Sequence, residues 1–178
     1  MRTDAAVFLD RDGVLNATRT GSDGIPRPPR SIEDLEVLPG VPDACRDLRS
    51  AGFRLLVVSN QPDVARGTLG RDAVEAVNER LARELPLDEI LVCYHDDADN
   101  CACRKPKPGL LLEAAQRWKI DLSASFMVGD RWRDIEAARR ADCRSVLISE
   151  YSSLQEECEP DHIAPSLSIA AAWILAQV

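Results

Sequence analysis

The sequence predicts an α/β fold, a Rossmann-like parallel sheet with helices on both faces. Short apolar runs alternate with segments of helical period along the 178-residue chain, the pattern of right-handed strand–helix–strand crossovers. One run, Phe53 to Val58, is almost continuously apolar, as a central strand covered on both sides must be. Polar residues give the third observation: Asp10, Ser59, Lys105 and Asp130 each stand at or shortly after the C-terminal end of a different run. In a parallel sheet those ends share one edge, and ligands bind there.

Ala5 to Leu9 is the first strand and runs into Asp10-Arg11-Asp12-Gly13. On an extended backbone, side chains two apart point the same way, so Asp10 and Asp12 are expected to form a pair, and Gly13 permits the turn that follows. Such a pair suits Mg²⁺, which takes one or two acids plus substrate phosphate. Residues 17–38 form an irregular stretch rich in Gly, Pro and Arg; connections of that length are often functional, and this one is too short to be a cap domain. Pro39-Gly40 opens a helix with Val41, Ala44, Cys45 and Leu48 inward, which Gly52 ends. The second strand, Phe53 to Val58, leads to Ser59-Asn60-Gln61 and a polar loop through Arg66 and Gly67. A helix with the stripe Val74, Val77 and Leu81 precedes the third strand, Ile90 to Val92.

Beyond it, Leu111, Ala114, Ala115 and Trp118 mark the third helix, and Phe126 to Val128 a fourth strand ending at Gly129-Asp130. Ile135, Ala138 and Ala141 face inward from the next helix, and Val146 to Ile148 is a fifth strand. Tyr151 to Val178 reads as an acidic loop and a closing helix with Ile169, Ala172, Trp173 and Ala176 inward. A single domain over residues 1–178 is expected, because the length is close to that of one hydrophobic core.

A net charge of −8 and a pI near 4.8 argue against nucleic-acid or membrane-surface partners, which call for basic patches. No apolar run approaches membrane-spanning length and the N-terminus goes directly into a strand, so a cytoplasmic location is expected; a monomer is expected as well. Of six cysteines, Cys45 and Cys143 sit among apolar positions and read as core. Cys93, His95, Cys101 and Cys103 follow the third strand as Cys-x-His-x₅-Cys-x-Cys. Three thiolates and an imidazole make a full tetrahedral Zn²⁺ set, and a site with four protein ligands is closed and structural. Arg104 and Lys105 come next in the chain, so a zinc loop over 93–103 would fix the backbone that aims them.

Phosphoryl transfer needs positioning and charge neutralisation more than covalent chemistry. Asp130 can join Asp10 around Mg²⁺, while Ser59 and Lys105 bind phosphoryl oxygens. One carboxylate can attack as a nucleophile, and Asp12 can give a proton to the leaving oxygen and then take one from water. Taken singly, Asp130 and Asp134 also read as ordinary acids at the start of a helix.

Asp10-Arg11-Asp12-Gly13, Ser59, Arg104-Lys105-Pro106 and V-G-D-x-x-x-D over Val128 to Asp134 resemble, in order, the four motifs of the haloacid dehalogenase-like phosphatases. The Cys/His insert is similar to the zinc-bearing branch that holds heptose bisphosphate and histidinol-phosphate phosphatases. The resemblance covers about Val7 to Ile148. It implies Asp10 as nucleophile, Asp12 as acid and base, and Mg²⁺ held by Asp10, the Asp12 backbone carbonyl and Asp130. Ser59, Asn60, Arg66, Arg104 and Lys105 become the expected substrate and phosphate contacts, with Gly13 and Asp134 in support. Ser59 to Gly67 resembles the heptose branch through its Ala-Arg-Gly ending, although Pro62-Asp63 replaces the Ser-Gly typical there. The five residues between His95 and Cys101 look like the shorter zinc loop of the histidinol branch, and Asp96, Asp97 and Asp99 could face a cationic amine. Arginine forks suit a second phosphate. The expected reaction is therefore loss of the 7-phosphate from a heptose 1,7-bisphosphate, with histidinol phosphate as the alternative substrate. From another class, a zinc-bearing module that binds phospho-ligands would need no general acid. A phospho-accepting signalling domain would carry its Asp after the third strand, where Cys93 stands.

Overall fold

In the computed structural model, residues 4–22, 24–149 and 158–177 are described. The strands are β1 (Ala6–Leu9), β2 (Arg19–Thr20), β3 (Pro26–Arg27), β4 (Arg54–Asn60), β5 (Glu89–Cys93), β6 (Phe126–Gly129), β7 (Arg144–Ile148) and β8 (His162–Ala164). The helices are α1 (Val41–Ser50), α2 (Arg71–Glu84), α3 (Gly109–Trp118), α4 (Trp132–Arg140) and α5 (Leu167–Leu175). Six strands form one parallel sheet in the order β5-β4-β1-β6-β7-β8, so β1 lies inside it, with Val7 between Leu55 and Phe126. Strand residues two apart share a face. Val7, Leu9, Leu55, Val57 and Val128 pack with α1 and α5 on one side; Ala6, Phe8, Leu56, Val58 and Met127 pack with α3 and α4 on the other.

Three expectations change. Residues 17–38 are not wholly irregular, because β2 and β3 pair there as a short antiparallel ribbon. The sheet has a sixth strand, β8, which carries no apolar run: Ile163 is exposed and Ala164 alone is buried. Residues 150–157, most of the loop expected before the closing helix, lie outside the described residues. The inward face of α5 is Leu167, Ala170, Ala171 and Ile174, two positions back from the expected stripe, and Ile169 is exposed. This helix is apolar nearly all round, so no polar face fixes its rotation. Packing against α1 selects the stripe that includes the small Ala170 and Ala171.

One glycine lets the ends of β1 and β6 approach, and another lets α4 close on the end of β6. Gly13 has φ +90°, and a Cβ there would lie 2.4 Å from Asp130 Oδ2. At Gly129 a Cβ would meet the Asp134 Cβ at 2.1 Å.

Candidate active site

The carboxyl edge of the sheet opens into a cavity of about 650 Å³, lined among others by Asp10, Asp12, Asn60, Arg66, Arg104, Lys105 and Asp134. Seven of the expected residues thus meet across four chain segments. Ser59 and Asp130 are buried beside it and are not among its lining residues.

Lys105 is the centre of this arrangement. Its buried ammonium donates to Asp10 Oδ1 at 2.7 Å and to the Val58 carbonyl at 2.7 Å, and it pairs with Asp134 Oδ1 at 2.6 Å. An ammonium has three donors, and these contacts use all of them. Burial pushes the lysine pKa down, but the charges of Asp10 and Asp134 outweigh it and hold the group protonated, well above its ordinary value. The backbone of Lys105 is clamped by Asn60, whose amide donates to the Lys105 carbonyl at 3.0 Å and accepts from its N–H at 3.1 Å.

The two acids of the first motif sit differently. β1 ends at Leu9 and Asp12 lies beyond it, in an isolated bridge with Asn16, and both carboxylates reach the cavity. Asp10 has one oxygen on Lys105, and its other accepts no hydrogen bond among the described residues. Both oxygens of Asp12 are occupied: Oδ1 by Arg11 Nε (3.1 Å) and Asn16 (2.9 Å), Oδ2 by Arg11 Nη2 (3.0 Å) and Gln61 (2.7 Å). Burial raises the Asp12 pKa, yet Arg11's charge and these hydrogen bonds outweigh it, so Asp12 stays ionised below the usual carboxylate range. Asp10 is pushed up to about 6, mainly by burial, with Lys105 opposing and Asp134 and Asp12 adding.

Asp10, Asp130 and Asp134 bring one carboxylate oxygen each within 4.8 Å of one another. Asp130 Oδ1 is buried with no hydrogen-bond partner, and burial plus the charges of Asp10 and Asp134 raise its pKa to about 8. A buried, unpartnered carboxylate oxygen facing two other acids is a cation-binding arrangement. Asp134 does double duty, since its second oxygen accepts from the Arg131 N–H at 3.1 Å and closes the first turn of α4.

Four donor residues also converge after β5. Cys93 Sγ lies 3.6 Å from Cys101 Sγ and 3.1 Å from Cys103 Sγ, and His95 Nδ1 lies 3.3 Å from Cys103 Sγ. These separations are too long for a disulfide and close to the ~3.8 Å edges of a tetrahedron with ~2.3 Å bonds.

Several residues escaped the sequence reading. Arg11 is fully buried and runs from Asp12 to Asn78 Oδ1 of α2 (2.9 Å), and Gln61 bridges Asp12 and Ser59 Oγ (2.9 Å). Arg131 and Arg133 line the cavity with Arg27, Arg30, Arg66 and Arg104, so an acidic chain places six arginines here. Of the three acids expected to face an amine, Asp96 binds Arg66 at 2.7 and 2.8 Å, Asp97 binds Arg104 at 2.8 Å and Arg133 at 3.0 Å, and Asp99 accepts only from the Asp96 N–H, at 2.7 Å, among the described residues. Arg104's hydrogen bonds, with those of Arg133, hold Asp97 far below the usual carboxylate range.

Comparison with known proteins agrees with this geometry. Residues 27–142 match the haloacid dehalogenase-like hydrolase family. The D-glycero-D-manno-heptose-1,7-bisphosphate 7-phosphatase of Thermosynechococcus vestitus is 38% identical over 192 residues, spanning 95% of this chain and 94% of the relative. The D-glycero-beta-D-manno-heptose-1,7-bisphosphate 7-phosphatase of Escherichia coli K12 is 34% identical, spanning 96% and 87%. Among solved structures, the D,D-heptose 1,7-bisphosphate phosphatase of B. bronchiseptica, complexed with magnesium and phosphate, superposes with a TM-score of 0.84 at 30% identity, covering 98% of this chain and 99% of that one. With a family match over most of its length, relatives that are phosphatases and a shared fold, the chain belongs to the haloacid dehalogenase-like hydrolases and is a phosphoric monoester hydrolase.

Proposed function

We propose that this phosphatase acts as a single domain on D-glycero-D-manno-heptose 1,7-bisphosphate and removes its 7-phosphate through a phosphorylated Asp10. The observation that carries the substrate choice is the arginine-lined mouth, in which Asp96 and Asp97 are already paired and so offer little to the amine of histidinol phosphate. The relatives' substrates agree.

The chain's own residues divide the work. Asp10 attacks phosphorus with its carboxylate as the bond to the sugar oxygen breaks. Asp12 delivers a proton to that oxygen, then takes one from the water that attacks the phosphoaspartate and frees Asp10 and inorganic phosphate. With both oxygens hydrogen-bonded, Asp12 is a poor nucleophile, but it is oriented. In the ligand-free protein it rests as the base, and an arriving phosphate dianion opposes that ionisation and favours the acid form. Lys105 neutralises Asp10 and Asp134 and presents its charge to the phosphoryl oxygens. Ser59 acts through Gln61 and Asn60 through the Lys105 backbone. Asp10 and Asp130, with the Asp12 carbonyl, would hold Mg²⁺, which lowers the charge of the phosphoryl group when bound. A phosphate-release panel with the heptose bisphosphate and histidinol phosphate tests the reading. A tenfold preference for histidinol phosphate, about 1.4 kcal/mol in transition-state binding, would overturn the substrate choice.

The carboxylate cluster gives a pH prediction. Asp10 and Asp130 have folded pKa values near 6 and 8 against 3.8 for a free Asp. Groups raised in this way stabilise the fold fully below about pH 4, and that stability is lost as pH rises through 6 and then 8. Asp12 and Asp97, with lowered values, and Lys105, with a raised one, act outside this window. Protein dialysed free of magnesium should therefore lose several degrees of Tm between pH 5 and 8, about 2–4 °C per kcal/mol for a chain of this size. Added Mg²⁺ should restore more at pH 8 than at pH 5. A Tm indifferent to both would contradict the cation site.

Zn²⁺ at Cys93, His95, Cys101 and Cys103 would act structurally, since Arg104 reaches the His95 carbonyl at 3.4 Å and Asp97 within the same loop. Metal analysis should find about one zinc per chain. Its removal should raise KM by several-fold through loss of Arg104's anchor; zinc-free protein with unchanged KM and Tm would reject the site.

A further inference from the structure

Asp97 lies between two walls of the cavity. Arg104, on the loop after β5, places Nε 2.8 Å from Asp97 Oδ1 and Nη2 3.3 Å from Oδ2, with Nη1 3.4 Å from the His95 carbonyl. Arg133, on α4, reaches the same Oδ1 at 3.0 Å, and its guanidinium carbon lies 5.2 Å from the Trp132 ring centroid. One carboxylate thus holds two guanidiniums, and the trio keeps a net positive charge. Its own turn is fixed, because the Asp97 N–H donates to Asp96 Oδ1 at 2.8 Å and the Asp96 N–H to Asp99 Oδ2 at 2.7 Å. Arg104 is nearly buried, yet both arginines line the cavity that holds Asp10. Arg133 uses one nitrogen on Asp97, and its other two have no hydrogen-bond partner among the described residues.

We propose that Asp97 is a positioning residue that ties Arg104 to Arg133 as one two-pronged receptor for the phosphate that is not hydrolysed. This rests on the bisphosphate reading above. A long arginine side chain has much rotamer freedom to lose on binding an anion. A carboxylate that has already fixed two of them transfers that loss to folding and leaves the receptor preorganised. The tie also sets the distance between the receptor and the reacting centre, because Arg133 shares α4 with Asp134, which binds Lys105.

The test uses the full chain loaded with zinc and magnesium, assayed on the heptose bisphosphate and on p-nitrophenyl phosphate, a monoester with no second anion. Asp97→Asn should raise KM for the bisphosphate about tenfold, about 1.4 kcal/mol, with kcat much less affected. The loss of kcat/KM should be at least about fivefold greater on the bisphosphate than on the aryl ester. Arg133→Gln should reproduce that selective loss, and the double variant should add little to either single one, as expected of residues acting as a unit. Zinc content and Tm are followed in parallel; should Asp97→Asn fail to fold or lose zinc, Arg133→Gln decides alone. Equal losses on both substrates would overturn the inference, as would a lower bisphosphate KM, the sign of an acid that merely competes with substrate for the arginines. A wild type with no preference for the bisphosphate would overturn the substrate reading and this inference together. A preference left unchanged in both variants would overturn this inference alone.

Discussion

Asp10→Asn is expected to lower kcat by about 10⁴-fold or more, the scale on which loss of an attacking group acts, with a folded protein and little change in KM. The resemblance implies Asp10 as nucleophile, and the hydrogen bonding of the two acids supports it over Asp12. Asp10 keeps one oxygen without a hydrogen-bond partner among the described residues and lines the cavity, whereas each oxygen of Asp12 already accepts two hydrogen bonds. The fold should survive because an amide has nearly the same shape and Lys105 retains Asp134. Replacing the carboxylate also removes one of the charges that raise Asp130. Turnover on an aryl phosphate, Tm, and mass spectrometry for a phosphorylated intermediate provide the check. Activity within tenfold of wild type, or a phosphoenzyme formed by the Asn variant, would place the nucleophile elsewhere.

Most of the architecture is legible in the sequence because it is written in periodicities. The runs ending before Asp10, Ser59 and Asp130 become β1, β4 and β6, and the shared edge follows from parallel topology. Periodicity stops working where apolarity is uniform or the segment is short: the buried stripe of α5 lies two positions from the expected one, and β8 holds three residues. At the site, residue types at strand ends located Asp10, Asp12 and Lys105. They could not reveal that Arg11 is buried against Asp12, because an arginine between two acids reads as a solvated cation until the fold closes α2 over it. Nor could they reveal that Asp97 binds arginines from two elements, since Arg133 is 36 residues away. In both cases side-chain reach across tertiary contacts, and not local pattern, makes the pairing.

The same reach makes Lys105 the position with the largest expected effect on stability. Its ammonium is the cation paired with two buried carboxylates, and Asp130 stands beside them without a cation of its own nearer than Arg131 at 3.8 Å. Removing one member of a buried pair leaves the other charge uncompensated, which costs about 3–5 kcal/mol. Lys105→Met, of similar length and without charge, should therefore lower Tm by roughly 10 °C in magnesium-free buffer and abolish turnover, because Asp10 loses the contact that fixes it. A second substitution separates charge from packing. Lys105→Met/Asp134→Asn removes one of the stranded carboxylates, so it should regain part of the lost stability, a coupling that double-mutant cycles resolve when it exceeds ~0.5 kcal/mol. Activity should not return with it. If the cost were mainly a cavity or a misfitted side chain, the double variant would be less stable than the single one, and the reading of Lys105 as the counter-ion of this cluster would be wrong.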